Sequence, residues 1–329
     1  MQPTAKTSAQ SDMLAKEQII AQVKDFFATQ LCQQLSLIKV TAPLFVKSGT
    51  GFNDDLNGVE KPVQFQLKGV SESVEIVQSL AKWKRMRLHE LETPSGHGIV
   101  TDMRAIRPDE VISPIHSFFV DQWDWEKRIS QQDRTLAYLR QTVNAIYQAV
   151  RATNDMVAAE TGQALDLPAT IHFIHSEDLL KQYPDLTPKE RENEITRQYG
   201  AVFVMGIGGP LSNSQVHDDR APDYDDWTTA NEDGYHGLNG DILIWNPALN
   251  SALEISSMGI RVDATALKKQ LALKNCEERA ALEFHSNVLN SAYPLSMGGG
   301  IGQSRLCMLL LQKQHIAEVQ SSIWPKGAY

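Results

Sequence analysis

The clearest structural signal in the chain is Phe118-Phe119-Val120-Asp121-Gln122-Trp123-Asp124-Trp125-Glu126, where polar and apolar residues alternate with the period of a β-strand. Because alternate residues of a strand face opposite sides, Gln122, Asp124 and Glu126 share one face. Trp123 and Trp125 lie on the other face and are expected in the core or in an interface. Three polar groups in register form either a solvated edge or the floor of a cavity that binds a polar small molecule.

A second predicted strand, residues 101–107, precedes this stretch, and a loop containing Pro108 joins the two into a hairpin. The first strand ends in Arg107. An arginine in this position is either an ordinary surface residue or a ligand for phosphate or carboxylate, since its planar fork matches two oxygens.

Periodic patterns along the rest of the chain predict an α+β fold. Helical spacing occurs at 14–35, 79–88, 136–150 and 264–289, and Ser176 and Thr187 are predicted to cap two further helices. Strand patterns occur at 37–40, 63–67, 74–77, 171–175, 201–206, 241–245 and 252–262, whereas 45–61 is predicted as a loop and the Gly-rich segment 298–311 as the opening of a helix. Because strict βαβ alternation is missing, we expect an antiparallel sheet flanked by helices in one domain, residues 13–329, after a flexible tail at 1–12.

The amino-acid composition and the charge exclude several classes of protein. The chain has 329 residues, of which 42% are hydrophobic and 22% charged, which is typical of a globular protein. Its formal net charge of -9 argues against a protein that mainly binds nucleic acid. Three distant cysteines predict neither a zinc site nor a disulfide framework, and no apolar stretch approaches the length of a membrane span. The N-terminus lacks the apolar core of a secretory signal, so we expect a cytoplasmic protein.

Two further segments carry candidate binding residues. Glu254 and Ser256 share a strand face beside small neighbours, and Asp241 opens the preceding strand. Two acids on neighbouring strands suit a Mg²⁺ ion that is bound mainly by phosphate oxygens. In the other segment, Arg305 follows Gly302 at a predicted helix start, which favours an anion, although close packing alone also produces such glycines. Neither a Walker-type phosphate loop nor a dinucleotide fingerprint is present in the sequence.

These segments together resemble the catalytic domain of class II aminoacyl-tRNA synthetases of the aspartate and asparagine type. Residues 107–126 resemble the second motif of that superfamily and 300–306 the third. The similarity is closer to the ammonia-dependent asparagine synthetases (aspartate–ammonia ligases), whose signatures match 79–85, 120–126, 220–227, 237–243, 254–261 and 298–305. Two positions depart from the pattern: Gln78 replaces a frequent histidine, and Val120 replaces the aromatic residue on which adenine stacks in the synthetases.

The resemblance implies synthesis of L-asparagine from L-aspartate, ammonia and ATP through a β-aspartyl-adenylate, with release of AMP and pyrophosphate. It also implies ATP and Mg²⁺ as cofactors, small-molecule substrates, no nucleic-acid or membrane partner, and a homodimer formed through residues 14–43. One alternative is a class II synthetase paralogue that activates an amino acid for another acceptor, and a second is an inactive paralogue that only binds ligands. A glutamine-using synthetase is not expected, because no N-terminal cysteine nucleophile follows Met1.

The same resemblance implies the site residues. The expected catalytic residues are Arg107, Arg305, Asp54 and Asp225, the two acids serving to attract ammonium and take its proton. The expected substrate-binding residues are Ser79, Lys84, Gln122, Asp124, Ser256, Ser257 and Arg261. ATP is expected on Arg107, His116, Glu254, Gly302 and Arg305, and Mg²⁺ on Asp241 and Glu254. By contrast, His172 and His175 are expected to be packing residues, and the charged run 187–199 a solvated helix face.

Overall fold

Eight α-helices and eleven strands form within the residues that the computed structural model describes, which are 8–54, 61–327 and 329. The helices are α1 (Ser8–Leu35), α2 (Ala81–Glu90), α3 (Leu136–Thr161), α4 (Ser176–Gln182), α5 (Pro188–Tyr199), α6 (Ala264–Leu273), α7 (Glu283–Leu289) and α8 (Gln303–Leu310). The strands are β1 (Leu37–Lys39), β2 (Phe45–Lys47), β3 (Gln64–Phe65), β4 (Val74–Ile76), β5 (Gly98–Ile106), β6 (Phe119–Arg128), β7 (His172–His175), β8 (Ala201–Met205), β9 (Asn239–Asn246), β10 (Ser251–Ile260) and β11 (Ser296–Gly302).

The main sheet has eight strands in the order β1-β5-β6-β11-β10-β9-β8-β7. Its central pairs are antiparallel, as predicted, which confirms the α+β fold. The two edge pairs, β1 with β5 and β7 with β8, are parallel. Parallel pairing needs a long crossover, and α4 and α5 provide one between β7 and β8. None of the helices in the described part of the chain is both long and apolar enough to cross a membrane.

The tryptophan face of β6 packs against the helical layer. Trp123 and Trp125 are buried in the largest apolar cluster, together with residues of α1 and α3. The ring of Phe27 on α1 lies 4.5 Å from that of Trp123, centroid to centroid. Aromatic contacts of this kind anchor a helix firmly on a sheet. The polar face of β6 is therefore turned to the opposite side of the sheet.

The Gly-rich segment forms a strand, so the prediction that its glycines open a helix is wrong. Residues 296–302 make β11, which pairs with β6 so that Gly298 lies opposite Glu126 and Gly300 opposite Asp124. A Cβ atom at Gly298 would overlap the Glu126 carboxylate. Glycine is required here because the polar side chains of β6 lean across the neighbouring strand. The helix starts only afterwards, with α8.

Several shorter assignments also differ from the prediction. Helix α1 begins at Ser8, so helical structure reaches into the segment predicted as a tail, whereas residues 1–7 lie outside the described part of the chain. The predicted loop 45–61 is wrong at 45–47, where β2 joins the small sheet β2-β4-β3. Helix α4 is capped by His175, whose Nδ1 accepts from the Glu177 N–H at 3.0 Å, and not by Ser176.

Helix α5 starts at the predicted capping box of Thr187 and Glu190, which is confirmed. The expectation that its charged run is wholly solvated is wrong, because Arg191 and Glu192 are buried. Arg191 Nε donates to the Tyr183 carbonyl at 3.0 Å, which satisfies part of its guanidinium inside the protein. His172 stacks on the ring of Tyr199 at 3.7 Å, as expected for a packing residue.

Candidate active site

A cavity of about 450 Å³ lies over the polar face of β6, beside the glycine strand β11 and strand β10. All but one of the predicted site residues line it, namely Asp54, Ser79, Lys84, Arg107, His116, Gln122, Asp124, Asp225, Glu254, Ser256, Ser257, Arg261, Gly302 and Arg305. The exception is Asp241, which is buried next to the wall. Carboxylates outnumber cationic side chains in the lining by eight to five.

The floor of the cavity is a buried ion pair between helix α2 and strand β6. Lys84 Nζ donates to Asp124 Oδ1 at 2.5 Å and to the Gly299 carbonyl at 2.9 Å. Burial lowers the pKa of Lys84, and the Asp124 charge opposes that shift. Asp124 Oδ2 is buried without a hydrogen-bond partner. This oxygen is a free acceptor on the floor, and an ammonium group is the natural donor for it.

A second buried network fixes Arg261 at the end of β10. Its Nε and Nη2 donate to Glu126 at 3.1 and 2.9 Å, and its Nη1 donates to Asp225. Burial raises the pKa of Asp225, and the charge of Arg261 opposes that shift. The guanidinium is thus locked between two carboxylates, which holds its position for a ligand without further ordering.

Arg107 and Asp54 are connected through Gln78. Arg107 Nη2 donates to the Gln78 carbonyl at 3.3 Å, and Gln78 Nε2 donates to the Asp54 carbonyl at 3.0 Å. Asn53 Oδ1 accepts the backbone N–H groups of both Gln78 and Asp54, at 2.8 and 3.0 Å. The glutamine at this position therefore ties the loop before residue 55 to the arginine. Sequence reasoning did not identify Asn53, because it shows no periodic or motif signal.

Arg305, Glu254 and His116 form another part of the cavity wall. Arg305, in the first turn of α8, donates to the Glu254 carbonyl at 3.2 Å and lies 3.7 Å from the Glu254 carboxylate. His116 Nδ1 lies 2.7 Å from the Ser113 hydroxyl. Burial and the nearby charge of Arg305 lower the pKa of His116 to about 4, so the ring is neutral near pH 7. A guanidinium therefore lies beside a neutral imidazole in this part of the wall.

Asp241 on β9 lies opposite Ser257 on β10, behind the cavity wall. Arg220 donates to Asp241 Oδ2. This arginine lies in the 220–227 signature, but no role was predicted for it. Burial raises the pKa of Asp241 to about 7, and the charge of Arg220 opposes that shift. Asp241 Oδ1 is buried and accepts no hydrogen bond. The carboxylate thus has a coordinating oxygen to spare.

The donor set suits a hard cation with few protein ligands. Among the described residues, no three His, Cys, Asp or Glu side chains converge on a point. Asp241 and Glu254 lie on paired strands and provide only carboxylate oxygens. These residues fit Mg²⁺, which takes one or two carboxylates and completes its shell with water and phosphate oxygens.

Comparisons with known proteins agree on the fold. Over 94% of this chain, the structure is similar to an asparaginyl-tRNA synthetase from Entamoeba histolytica in complex with asparaginyl-adenylate, with a TM-score of 0.65 and 16% identity. The corresponding synthetase from Pyrococcus horikoshii, also with asparaginyl-adenylate, gives a TM-score of 0.58 at 15% identity over the same share. The chain spans 66% and 70% of the lengths of these synthetases. The fold is therefore that of the class II aminoacyl-tRNA synthetases, as predicted.

The comparisons of sequence identify a narrower family than the structural comparisons do. A curated aspartate–ammonia ligase from Parabacteroides distasonis is 53% identical over 309 residues, which are 93% of this chain and 90% of that protein. The family model described as aspartate-ammonia ligase matches residues 14–329. The chain therefore belongs to the aspartate–ammonia ligase family.

Proposed function

We propose that this chain uses ATP to activate the side-chain carboxylate of L-aspartate as β-aspartyl-adenylate, and that ammonia then displaces AMP to give L-asparagine. The carboxylate attacks the α-phosphorus, pyrophosphate leaves, and the ammonia nitrogen forms the new bond to carbon as the bond to AMP breaks. The main support is that Arg107, Arg305 and Arg261 line one cavity together with the Lys84–Asp124 ion pair on its floor. Two anions can approach each other only where fixed cations offset their charges.

Aspartate has to lie with its side chain toward the nucleotide. Its α-ammonium group is assigned to Asp124 Oδ2, the buried acceptor that lacks a partner, with Gln122 beside it. Lys84 and Arg261, which both line the cavity, would hold the two carboxylates. Ser79 and Ser257 line the same space and can fix the register of the substrate by hydrogen bonds. A β-bulge between Glu254 and Ser256 breaks the predicted shared face, because Ser256 pairs with Ile301, which lies opposite Trp123 on the tryptophan face of the sheet.

The nucleotide is assigned to the rim of the cavity. Arg107 would contact the α-phosphate, and Arg305 with neutral His116 would hold the outer phosphates. Gly302 leaves room beside Arg305, and Phe119 is an aromatic residue of the lining that can cover the adenine in place of Val120. Asp241 and Glu254 would hold Mg²⁺, which when bound neutralises phosphate charge. The arginines preorganise the site for the charge that develops at the reacting phosphate.

Asp54 and Asp225 are assigned to ammonia. Both are buried in the cavity wall near Tyr224, so they can attract an ammonium ion and accept its proton before attack. Burial and Arg261 act on the pKa of Asp225 in opposite directions, and the net effect is a raised pKa. A raised pKa makes this carboxylate a better base than an exposed aspartate.

The decisive measurement is the formation of AMP and asparagine from ATP, aspartate and ammonium, with and without Mg²⁺. We expect equal amounts of both products, and loss of both when Mg²⁺ is removed by chelation. Transfer of an amino acid to tRNA, without asparagine formation, would instead identify a synthetase paralogue. Binding of ATP and aspartate without turnover would identify an inactive relative.

We further propose a homodimer in the cytoplasm, with no nucleic-acid or membrane partner, formed through residues 14–43. Ile38 on the edge strand β1 is 60% exposed, and Leu44 just beyond it is 50% exposed. An unpaired edge bearing apolar side chains is a natural pairing surface. The net charge of -9 and the three free thiols support the rest of this proposal.

Sedimentation at micromolar concentration tests the dimer. The wild-type chain is expected to sediment as a dimer, and Ile38→Asp as a monomer, because the new charge would be buried in the interface. Leu273→Asp is the matched control, since Leu273 on α6 is also an exposed apolar residue, 52% accessible, outside the proposed interface. A monomeric wild-type chain, or equal behaviour of the two variants, contradicts the proposal.

A further inference from the structure

Arg220 is a cavity-lining guanidinium to which the proposed function assigns no role. It lies in the long segment between β8 and β9, and its side chain is only 13% exposed. Nη2 donates to Asp241, while Nη1 donates to Asp218 and to the Asp219 carbonyl, the latter at 3.0 Å. Nε is buried and donates to no acceptor. One edge of the guanidinium thus has a donor left unused.

The two carboxylates proposed for Mg²⁺ each carry an arginine. Arg220 is paired with Asp241, and Arg305 lies 3.7 Å from Glu254. Asp241 is buried and the Glu254 side chain is 34% exposed, and two carboxylates on neighbouring strands repel each other unless cations lie next to them. When no metal is bound, the guanidiniums supply this positive charge. Arg220 occupies Asp241 Oδ2 and leaves Oδ1 without a partner. A divalent ion that binds Oδ1 would lie beside this guanidinium on the same buried carboxylate, and the repulsion between the two cations favours release of Arg220.

Displacement would leave Arg220 next to the end of the cavity where the outer phosphates are assigned. Its other carboxylate partner, Asp218, is 58% exposed, and an ion pair to so exposed a group is held weakly. Arg220 lines the same cavity as Arg107 and Arg305. A guanidinium released in that wall, with Nε already free of protein acceptors, has the fork geometry that binds phosphate oxygens.

We propose that Arg220 is a third phosphate-binding residue, which occupies Asp241 until a divalent cation takes that carboxylate and then binds the outer phosphates of the metal-bound nucleotide. This inference rests on the proposed function, because it uses the same cavity for ATP and metal. It extends that function by coupling the two: metal binding releases the arginine, and the arginine then holds the phosphates. If the Arg220–Asp241 pair were permanently structural, metal binding would not release Arg220, and Arg220 would not bind the phosphates.

The first test uses Mn²⁺ alone as the probe, followed by electron paramagnetic resonance without nucleotide. Arg220→Gln is expected to bind Mn²⁺ about tenfold more tightly than wild type, because the competing guanidinium is gone. Adding Asp241→Asn to this variant should abolish the gain. Arg140→Gln is the matched control, since Arg140 forms a similar guanidinium–carboxylate pair with Asp233 on the surface. Unchanged or weaker Mn²⁺ binding in Arg220→Gln overturns the proposal.

The second test measures calorimetric binding of α,β-methylene-ATP with Mg²⁺, an analogue that cannot release pyrophosphate. Arg220→Gln should bind it about 10²-fold more weakly than wild type, because a charged hydrogen-bond donor to phosphate is lost. Arg220→Lys keeps the charge but not the fork, so its affinity for the analogue should lie between those of wild type and Arg220→Gln. This variant also guards against a folding defect in Arg220→Gln. Analogue affinity equal to wild type in both variants overturns the proposal.

These results are separable from the proposed function. If the wild-type chain forms no asparagine, the proposed function fails, whereas opposite changes in Mn²⁺ and analogue affinity in Arg220→Gln still support the role of Arg220. If asparagine is formed but Arg220→Gln binds Mn²⁺ and the analogue like wild type, the function stands and the role assigned to Arg220 is refuted.

Discussion

Replacing Arg107 by alanine is expected to lower the rate of AMP formation by about 10²–10³-fold. The α-phosphate gains negative charge as the aspartate carboxylate attacks, and this guanidinium is the one assigned to offset it. Arg107 lies at the cavity rim with 25% of its side chain exposed, so truncation spares the core. The variant should therefore keep its thermal midpoint while losing turnover. Steady-state AMP release and a thermal melt measure the two quantities.

Arg104→Ala is the matched control for Arg107→Ala. Arg104 is an exposed arginine on β5, three residues before Arg107, which follows the end of that strand, and it does not line the cavity. Its loss should leave AMP formation unchanged. Near-normal turnover of Arg107→Ala, or an equal loss in both variants, would falsify the role assigned to Arg107. Arg107→Lys is expected to recover only part of the rate, because an ammonium lacks the fork of the guanidinium.

Replacing Gly298 by alanine is expected to reduce kcat/KM for aspartate by about 10²-fold, through a displacement of about 1 Å in the floor. The new methyl group would overlap the Glu126 carboxylate and come within 2.5 Å of Arg261 Nη2. Both side chains are fully buried and paired to each other, so neither can move without straining the network. Overpacking of this kind also lowers the free energy of unfolding, by about 1–3 kcal/mol. Aspartate saturation kinetics and denaturant unfolding give the two values.

Gly209→Ala provides the comparison for Gly298→Ala. A Cβ atom there would meet its nearest neighbour, the Trp227 carbonyl, at 3.4 Å, which is an ordinary contact. We expect wild-type aspartate kinetics for this variant. If Gly298→Ala also shows a normal KM for aspartate, the pair Arg261–Glu126 does not position that substrate. A change in ammonia dependence alone would point to Asp225, which shares Arg261, as the affected group.

The fold could be predicted from the sequence where polar and apolar side chains recur with a fixed period. The alternation in β6 correctly separated the tryptophan face from the polar face, because period two is a property of the strand itself. The glycines of β11 carry no side chains, so they show neither the two-residue period of a strand nor the period of about 3.6 residues of a helix. The prediction therefore extends the following helix backward over them. Only the pairing with β6 reveals why they are glycines: the polar side chains of that strand occupy the space.

The candidate site was predictable through the family resemblance, and all of the site residues that it implied except Asp241 lie together around one cavity. What sequence reasoning missed are residues that act through partners far away in the chain. Asn53 bonds to Gln78 across 25 positions, and Arg220 pairs with Asp241 across 21. Neither spacing corresponds to a local structure, so these links exist only once the strands and loops have packed.

The excess of carboxylates around the cavity bears on the order in which ligands arrive. Uncomplexed ATP is a strong polyanion and is repelled by the excess of carboxylates in the cavity lining. A cation-complexed nucleotide carries much less negative charge and is repelled less. Ammonium, by contrast, is drawn toward the acids. We therefore expect the ligand-free protein to favour the cation-complexed form of the nucleotide before any bond changes, and to concentrate ammonium by long-range attraction that added salt weakens.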